Sequence, residues 1–301
     1  MKRLSLLTGF VVILQLIGCA SLDTRPSNTA LDEIMRKSGL WFQLSQVEPT
    51  MQMGISQAQE KMGRLSGEKF ERLQKAITAT YGADVLRTTV KEKLAATLTS
   101  EDVAGILRWL SSDLGKQIAA LEEKGSTPDM ALNAFEAGPM VLDSLPASRR
   151  TRLERIASLT QAAEFAAEMI IDTSIGIAEG LAGGGSNGDR AILDEMKRQI
   201  RLQKGELVKK LGPRAVGSMA VIYQSLPDDD LDQYVALCAS PLGQRYTAAT
   251  VGAFSTALSE AAVRLGRQLS EPSAALSESQ SNGFSPIVAS NSELRLARTP
   301  L

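Results

Sequence analysis

The sequence predicts an all-α fold, a helical bundle built from two similar helical units. Three observations carry that reading. Ala, Leu, Ser and Gln are common while aromatic residues make up only 4% of the chain, a mixture of side chains that lose little freedom in a helix. Apolar residues recur at steps of three and four. No stretch alternates with period two, the pattern of a half-buried strand.

The first element is a targeting segment rather than a fold element. Lys2 and Arg3 precede an apolar run from Leu4 to Leu16, and Leu16-Ile17-Gly18-Cys19 follows. The run is too short for a membrane span, which needs roughly 20 apolar residues. The quartet resembles a bacterial lipobox. That resemblance implies a signal peptide over residues 1–18, cleavage after Gly18, and lipidation at Cys19 with a palmitate-type chain on the new N-terminus. Ala20 stands where Asp would signal inner-membrane retention, which points to the outer membrane, facing the periplasm. An uncleaved anchor or an ordinary secretory signal are the alternatives. Residues 19–30 are polar and contain Pro26, so they read as a tether.

The body follows, with one helical unit expected over 31–145 and a second over 146–269, joined near Leu145-Pro146. Leu40, Leu44, Val47, Met51, Ile55, Ala58, Met62 and Leu65 form one apolar stripe, which Pro49 should kink or break. Phe70, Leu73 and Ile77 mark a further helix, and Leu86, Val90 and Leu94 another. Leu132–Leu142 is a short candidate, and Leu153–Leu181 reads as one long helix or two. Ile192–Leu211 and Ala215–Leu226 follow as separate helices, and a long final helix runs from Leu242 to Leu265. Residues 270–301 are rich in Ser, Asn, Pro and Ala and read as a disordered tail.

Two stretches repeat one pattern at an offset of 128 positions: LTSEDVAGILRWLSSDLGKQI from Leu98 and LPDDDLDQYVALCASPLGQRY from Leu226. Ser100 and Asp228 read as helix N-caps. Two acids follow each, favourable beside the helix dipole, which accounts for Asp228-Asp229-Asp230 without a metal. Val103, Ile106, Leu107 and Leu110 align with Leu231, Tyr234, Val235 and Cys238, so Cys238 stands where the first copy holds a core leucine. Ser112, Asp113, Leu114 and Gly115 align with Ser240, Pro241, Leu242 and Gly243. Ser suits a second cap, and Pro is tolerated at the first helical position. The early glycines imply that a neighbouring helix passes too close for a Cβ. The pattern is a helical corner: capped helix, sharp turn, capped helix.

This pattern, an acidic helix start, an apolar helix and then S-P-L-G, resembles the bacterial exported family known as domain of unknown function 2059, here in two tandem copies. The match is better in the second copy, because Asp113 replaces Pro in the first; the aromatic that usually precedes Ser-Pro is missing from both. The resemblance implies a helical exported protein and assigns no catalytic residue.

Composition excludes several chemistries. The chain has no histidine, which removes Ser-His-Asp and Cys-His catalysis and His-ligated zinc or haem. With Lys2 and Arg3 gone, 31 of the 33 basic residues remain against 34 acidic ones, a net charge of −3 that offers no footprint for nucleic acid. A lipidated Cys19 leaves only Cys238, so no intramolecular disulfide can form.

Other candidates have plainer readings beside them. Gly180–Gly188 is a flexible interhelical loop, since the Lys and Ser/Thr of a phosphate loop are missing. Glu164, Glu168, Asp172 and Glu179 form a solvated face, or else a carboxylate site. Arg149, Arg150, Arg152 and Arg155 pair with acids, or else touch anionic lipid. Trp41, Phe42 and Trp109 anchor packing, or line a groove.

These residues point to a non-enzymatic, lipid-anchored protein that binds or organises another envelope protein, with no cofactor and no metal. A carrier of an apolar molecule, lined by Met51, Met53, Met62, Met169 and Met219, is the alternative, and a carboxylate-dependent hydrolase the third reading.

Overall fold

The computed structural model describes residues 25–62, 67–182 and 187–270. Among the described residues there are thirteen helices and no strand. In order they are α1 (Asn28–Lys37), α2 (Leu40–Met62), α3 (Gly67–Tyr81), α4 (Ala83–Thr97), α5 (Ser100–Leu110), α6 (Asp113–Gly125) and α7 (Pro128–Ser144). Then come α8 (Ala147–Leu159), α9 (Ala162–Ala182), α10 (Asn187–Leu202), α11 (Lys204–Ile222), α12 (Asp228–Ala239) and α13 (Pro241–Ser270). The all-α bundle expected from periodicity is the fold observed. Cys19, Leu65 and residues 271–301 of the expected tail lie outside the described residues.

Several boundaries differ from the sequence reading, each for a local reason. The stretch read as tether ends early, because Ser27 caps α1 by accepting from the Ala30 N–H at 3.2 Å. Leu31, Ile34 and Met35 are then fully buried, so α1 is part of the core. Gly39 follows at φ +76°, the left-handed conformation that lets the chain turn from α1 into α2. Leu153–Leu181 is two helices, since Gln161 at φ 54° ends the first and its carbonyl starts the next through Phe165 N at 2.8 Å.

Proline breaks fewer helices than expected. Pro49 lies inside α2, and Pro213 inside α11, where the sequence suggested a boundary; the observed boundary is at Gln203. Pro213 takes a donor from the Lys209 carbonyl, but Lys209 is exposed and water can serve it. Pro139 inside α7 frees the carbonyl of Phe135, which faces Arg214 Nη1 at 3.5 Å.

The two expected units interleave rather than stand apart at Leu145-Pro146. One core joins α1 to α5 with α13: Ile34, Leu44, Leu86, Leu94 and Ile106 pack with Ala257, Leu258, Ala261 and Leu265. The other joins Ile118 of α6 to Leu153 and Ile156 of α8, Ala220 of α11, and Leu231 and Cys238 of α12. The helix after each corner therefore contributes to the core of the opposite half. The sharp turn at each corner explains this, since it directs the second helix away from the first. The residues from Arg25 to Ser270 belong to one compact unit.

Small residues set the closest approaches. A Cβ on Gly138 would lie 2.6 Å from the Gly217 carbonyl carbon, and one on Gly217 would lie 2.7 Å from that of Gly138. The backbones of α7 and α11 thus touch directly. Gly176 of α9 meets Ala262 of α13 in a similar way, its would-be Cβ 2.6 Å from the alanine methyl. No helix among the described residues is long and apolar enough to cross a membrane.

Candidate functional site

The two corners have the same construction in atomic detail. Ser112 sits at φ −68°, ψ 161° and Ser240 at φ −68°, ψ 153°. Each hydroxyl accepts from the backbone N–H three residues on, Gly115 or Gly243, at 3.0 Å. Each hydroxyl also donates back to the preceding helix, to Trp109 O at 2.6 Å or Leu237 O at 2.7 Å. A Cβ on Gly115 or Gly243 would run into those same carbonyls. The close neighbour is therefore the end of the corner's own first helix, not a separate helix as the sequence suggested.

The cap positions at the other end need correction. The first corner is capped by Thr99, in a reciprocal capping box with Asp102, and Ser100 is already helical. The second starts at Pro227, whose ring cannot cap, and Asp228 is its first helical residue. The acids remain in the first turn of both helices, where the dipole favours them. Leu110 and Cys238 are equally buried, each 4% exposed, as the alignment requires.

The corners pack on one another. Leu242, which follows the second corner, fills the space above Gly105, where a Cβ would lie 2.8 Å from its Cδ2. Leu114, its counterpart, packs against the second core instead. Trp109 stacks on Tyr234 with ring centroids 5.8 Å apart.

A polar cluster lies beneath this contact. Oε1 of Glu122 accepts from Tyr223 Oη at 2.7 Å and from Tyr234 Oη at 2.9 Å. Burial holds the Glu122 carboxyl above the usual range, and the two hydroxyl donors only partly offset it. Burial, together with the neighbouring Glu122, pushes the Cys238 thiol up to about 12, so it is protonated and unreactive at neutral pH. The sequence reading missed Glu122 and Tyr223, and placed Tyr234 on the apolar face of its helix without a polar role. One signal was available: Glu122 falls four residues after Ile118 and three before Gly125, on the buried stripe of α6.

The other candidates are dispersed. Glu168 pairs with Lys204, Glu179 with Lys197, and Asp172 accepts from Ser255 Oγ at 2.8 Å. These three carboxylates are half-buried and turn to three different helices, whereas Glu164 is exposed, so the face of α9 is solvated at Glu164 and an interface beyond it. Arg149 bonds Asp228 and donates to the Tyr223 and Leu226 carbonyls, both at 2.9 Å. Arg152 grips Asp232. The guanidinium groups of Arg36 and Arg87 both lie over Trp41, at 3.9 and 4.4 Å from its centroid. Met51, Met53, Met169 and Met219 are half-buried, and the Met62 side chain lies outside the described set. A groove of about 390 Å³ opens to solvent between Leu121, Met130 and Ile222.

The outward surface of the α7–α11 pair carries large exposed side chains. Met140 is 79% exposed and Phe135 43%, with the Arg214 guanidinium 4.2 Å from the Phe135 ring centroid. Comparison with known protein families, curated proteins and solved structures finds no match to this chain.

Proposed function

We propose that the chain is a non-enzymatic, lipid-anchored protein of the bacterial envelope that holds another envelope protein against its helical surface. Cys19 is the anchor, and the protein faces the periplasm from the outer membrane. The lipobox-like Leu16-Ile17-Gly18-Cys19 supports the anchoring half of this reading. The likeness of the two corners to the exported family named above is consistent with it.

The observation that carries the binding half is the exposed face of α7 and α11. Direct backbone contact at Gly138 and Gly217 packs that helix pair closely. Exposed Phe135 lies under the Arg214 guanidinium, and exposed Met140 stands further round α7; these are residue types that concentrate binding energy at protein interfaces.

The test uses a photocrosslinking residue at Met140 in intact cells, with Glu92, an exposed site on α4, as control. One discrete adduct from position 140, weakened by Phe135→Ser and absent from position 92, supports the reading. Identical patterns from both sites sink it. The anchor is tested separately: Cys19→Ser should abolish incorporation of a labelled fatty acid and release the protein from membranes.

A further inference from the structure

The charges of the chain are unevenly placed. α7 contains three acids and no Lys or Arg. Asp129, Glu136 and Asp143 are spaced by seven, so they form one stripe, about 21 Å long at a rise of about 1.5 Å per residue. All three are exposed, and none forms an ion pair with a described residue. Met140 stands on the same face, four residues after Glu136 and three before Asp143, and is 79% exposed.

The opposite charge collects at the elbow where α10 passes into α11. From Lys197 to Lys210, six Lys or Arg residues stand against one acid, Glu206, a net of +5 in a chain whose total is −1. Four of the six pair with acids of their own copy: Lys197 with Glu179, Arg198 with Glu195, Lys204 with Glu168 and Lys209 with Glu206. Arg201 and Lys210 are exposed and have no acidic partner among the described residues. Leu202, the last residue of α10, is 72% exposed. Beside it lies a shallow groove of about 540 Å³, walled by Leu202 and by Asp194, Lys197, Arg198 and Arg201. Long basic side chains offer apolar stems to such a groove while their charged heads stay in water. Met140 and Leu202 are the most exposed large apolar side chains among the described residues, and each stands within charge of one sign. The two surfaces are therefore complementary in shape and in charge.

We propose that a second copy of the chain docks on α7. The α10–α11 elbow of one copy lies along the acidic stripe of the next, with Met140 in the groove beside Leu202 and with Arg201 and Lys210 against Glu136 and Asp143. This rests on the reading of the α7–α11 surface as a docking face, and names its occupant. The two surfaces differ, so the contact is head-to-tail, and copies add in a row or close a ring. Lipid anchoring would favour it, because confinement to one membrane raises the effective concentration of each copy for the next.

The experiment follows the full chain, purified in a non-ionic detergent, by sedimentation across a concentration series at low and high salt. Reversible self-association that weakens with salt is expected. Glu136→Lys with Asp143→Lys should weaken it about ten-fold or more, and so should Arg201→Glu with Lys210→Glu. All four side chains are exposed and without ion-pair partners, so both double variants should fold, which circular dichroism checks. Mixing the two variants one to one should restore association, because each then offers the other a complementary surface. A chain that is monomeric at every concentration and salt overturns the proposal. So does association that neither double variant weakens, or that their mixture does not restore. Binding of a monomeric chain to phosphatidylglycerol vesicles, lost in Arg201→Glu with Lys210→Glu, would give the elbow to lipid and also overturn it. Should one double variant unfold, the other decides by its effect on association. The photocrosslinker at Met140 separates this proposal from the reading it rests on. An adduct of two copies supports the proposal, and an adduct to a different protein keeps the docking face and overturns the second copy. Identical patterns from positions 140 and 92 remove both.

Discussion

Arg245 donates from Nε at 2.9 Å and from Nη2 at 2.7 Å to one oxygen of Asp102, and so fastens the second corner to the first helix of the other. The second Asp102 oxygen accepts from Thr99 N at 3.2 Å and Thr99 Oγ1 at 2.8 Å. Burial raises the Asp102 carboxyl, but the bonds from Arg245 and Thr99 outweigh it and hold the carboxyl below its ordinary value. One carboxylate thus closes a helix cap and an interhelical tie together.

Asp102→Ala should therefore cost about 2–3 kcal/mol, the sum of a lost cap and lost charge-assisted bonds. Arg245→Ala should cost a similar amount, about 2 kcal/mol, because it leaves the Asp102 carboxylate, only 7% exposed, with the Thr99 bonds alone. Because the folded pKa of Asp102 is depressed, its stabilisation is present above the ordinary carboxylate value and fades as pH falls through the depressed one. In urea unfolding the difference between wild type and Asp102→Asn should hold above about pH 5 and shrink only as pH falls from the ordinary carboxylate value of 3.8 through the depressed one. A constant difference down to strong acid would refute the tie.

The corner glycines give a sharper outcome. Gly115→Ala and Gly243→Ala should each cost about 2–4 kcal/mol, because the methyl meets a backbone carbonyl that cannot move without opening the corner. Ser112→Ala and Ser240→Ala should each cost about 1 kcal/mol through loss of the cap. Denaturant midpoints for the four variants test the ordering. Gly243→Leu with an unchanged midpoint would show that the corner is not closed as described.

These corners were legible in the sequence because their causes are local. Ser112 and Ser240 bond three residues ahead, and the apolar quartets lie within two turns of helix. Glu122 was not legible as a hub, because its partners stand 101 and 112 residues away and an acid on a helix ordinarily faces water. Proline misled for the same reason in reverse. The boundary expected between Leu211 and Ala215 is absent, because the packing of α7 on α11 holds α11 through Pro213; the helix read through Pro139 is present. The interleaving of the two cores depends on where each turn sends the next helix, which spacing alone does not encode. Apolar periodicity found the helices, and tertiary packing chose their ends.

Close packing of α7 on α11 should make its glycines behave unlike one in open space. Gly138→Ala and Gly217→Ala force two backbones apart and should each cost about 2–4 kcal/mol. Gly252 sits in α13 with nothing near its would-be Cβ, so Gly252→Ala should stabilise by about 0.5–1 kcal/mol through helix propensity. Thermal melts of the three variants separate packing from propensity by sign. Destabilisation by Gly252→Ala would contradict the open space above it.

Glu122 makes the protein's pH response distinctive. Its folded carboxyl binds a proton more readily than an ordinary one near 4.5, first because burial disfavours the charge. A raised carboxyl contributes stability below its unfolded pKa, and that contribution is lost as pH rises through the folded value. Above that value the buried cluster carries a charge held by two tyrosine hydroxyls alone. Glu122→Gln offers the same acceptor oxygen to Tyr223 and Tyr234 without the charge. It should therefore raise stability by about 1 kcal/mol at pH 8, and the gain should vanish toward pH 4. Tyr234→Phe removes one donor from the carboxylate and should push its pKa further up, widening the loss at pH 8. Denaturant unfolding of the three proteins across that range measures both effects. A Glu122→Gln variant that is less stable than wild type at pH 8 would mean that the charge itself, paired with an unseen cation, holds α6 to α11 and α12.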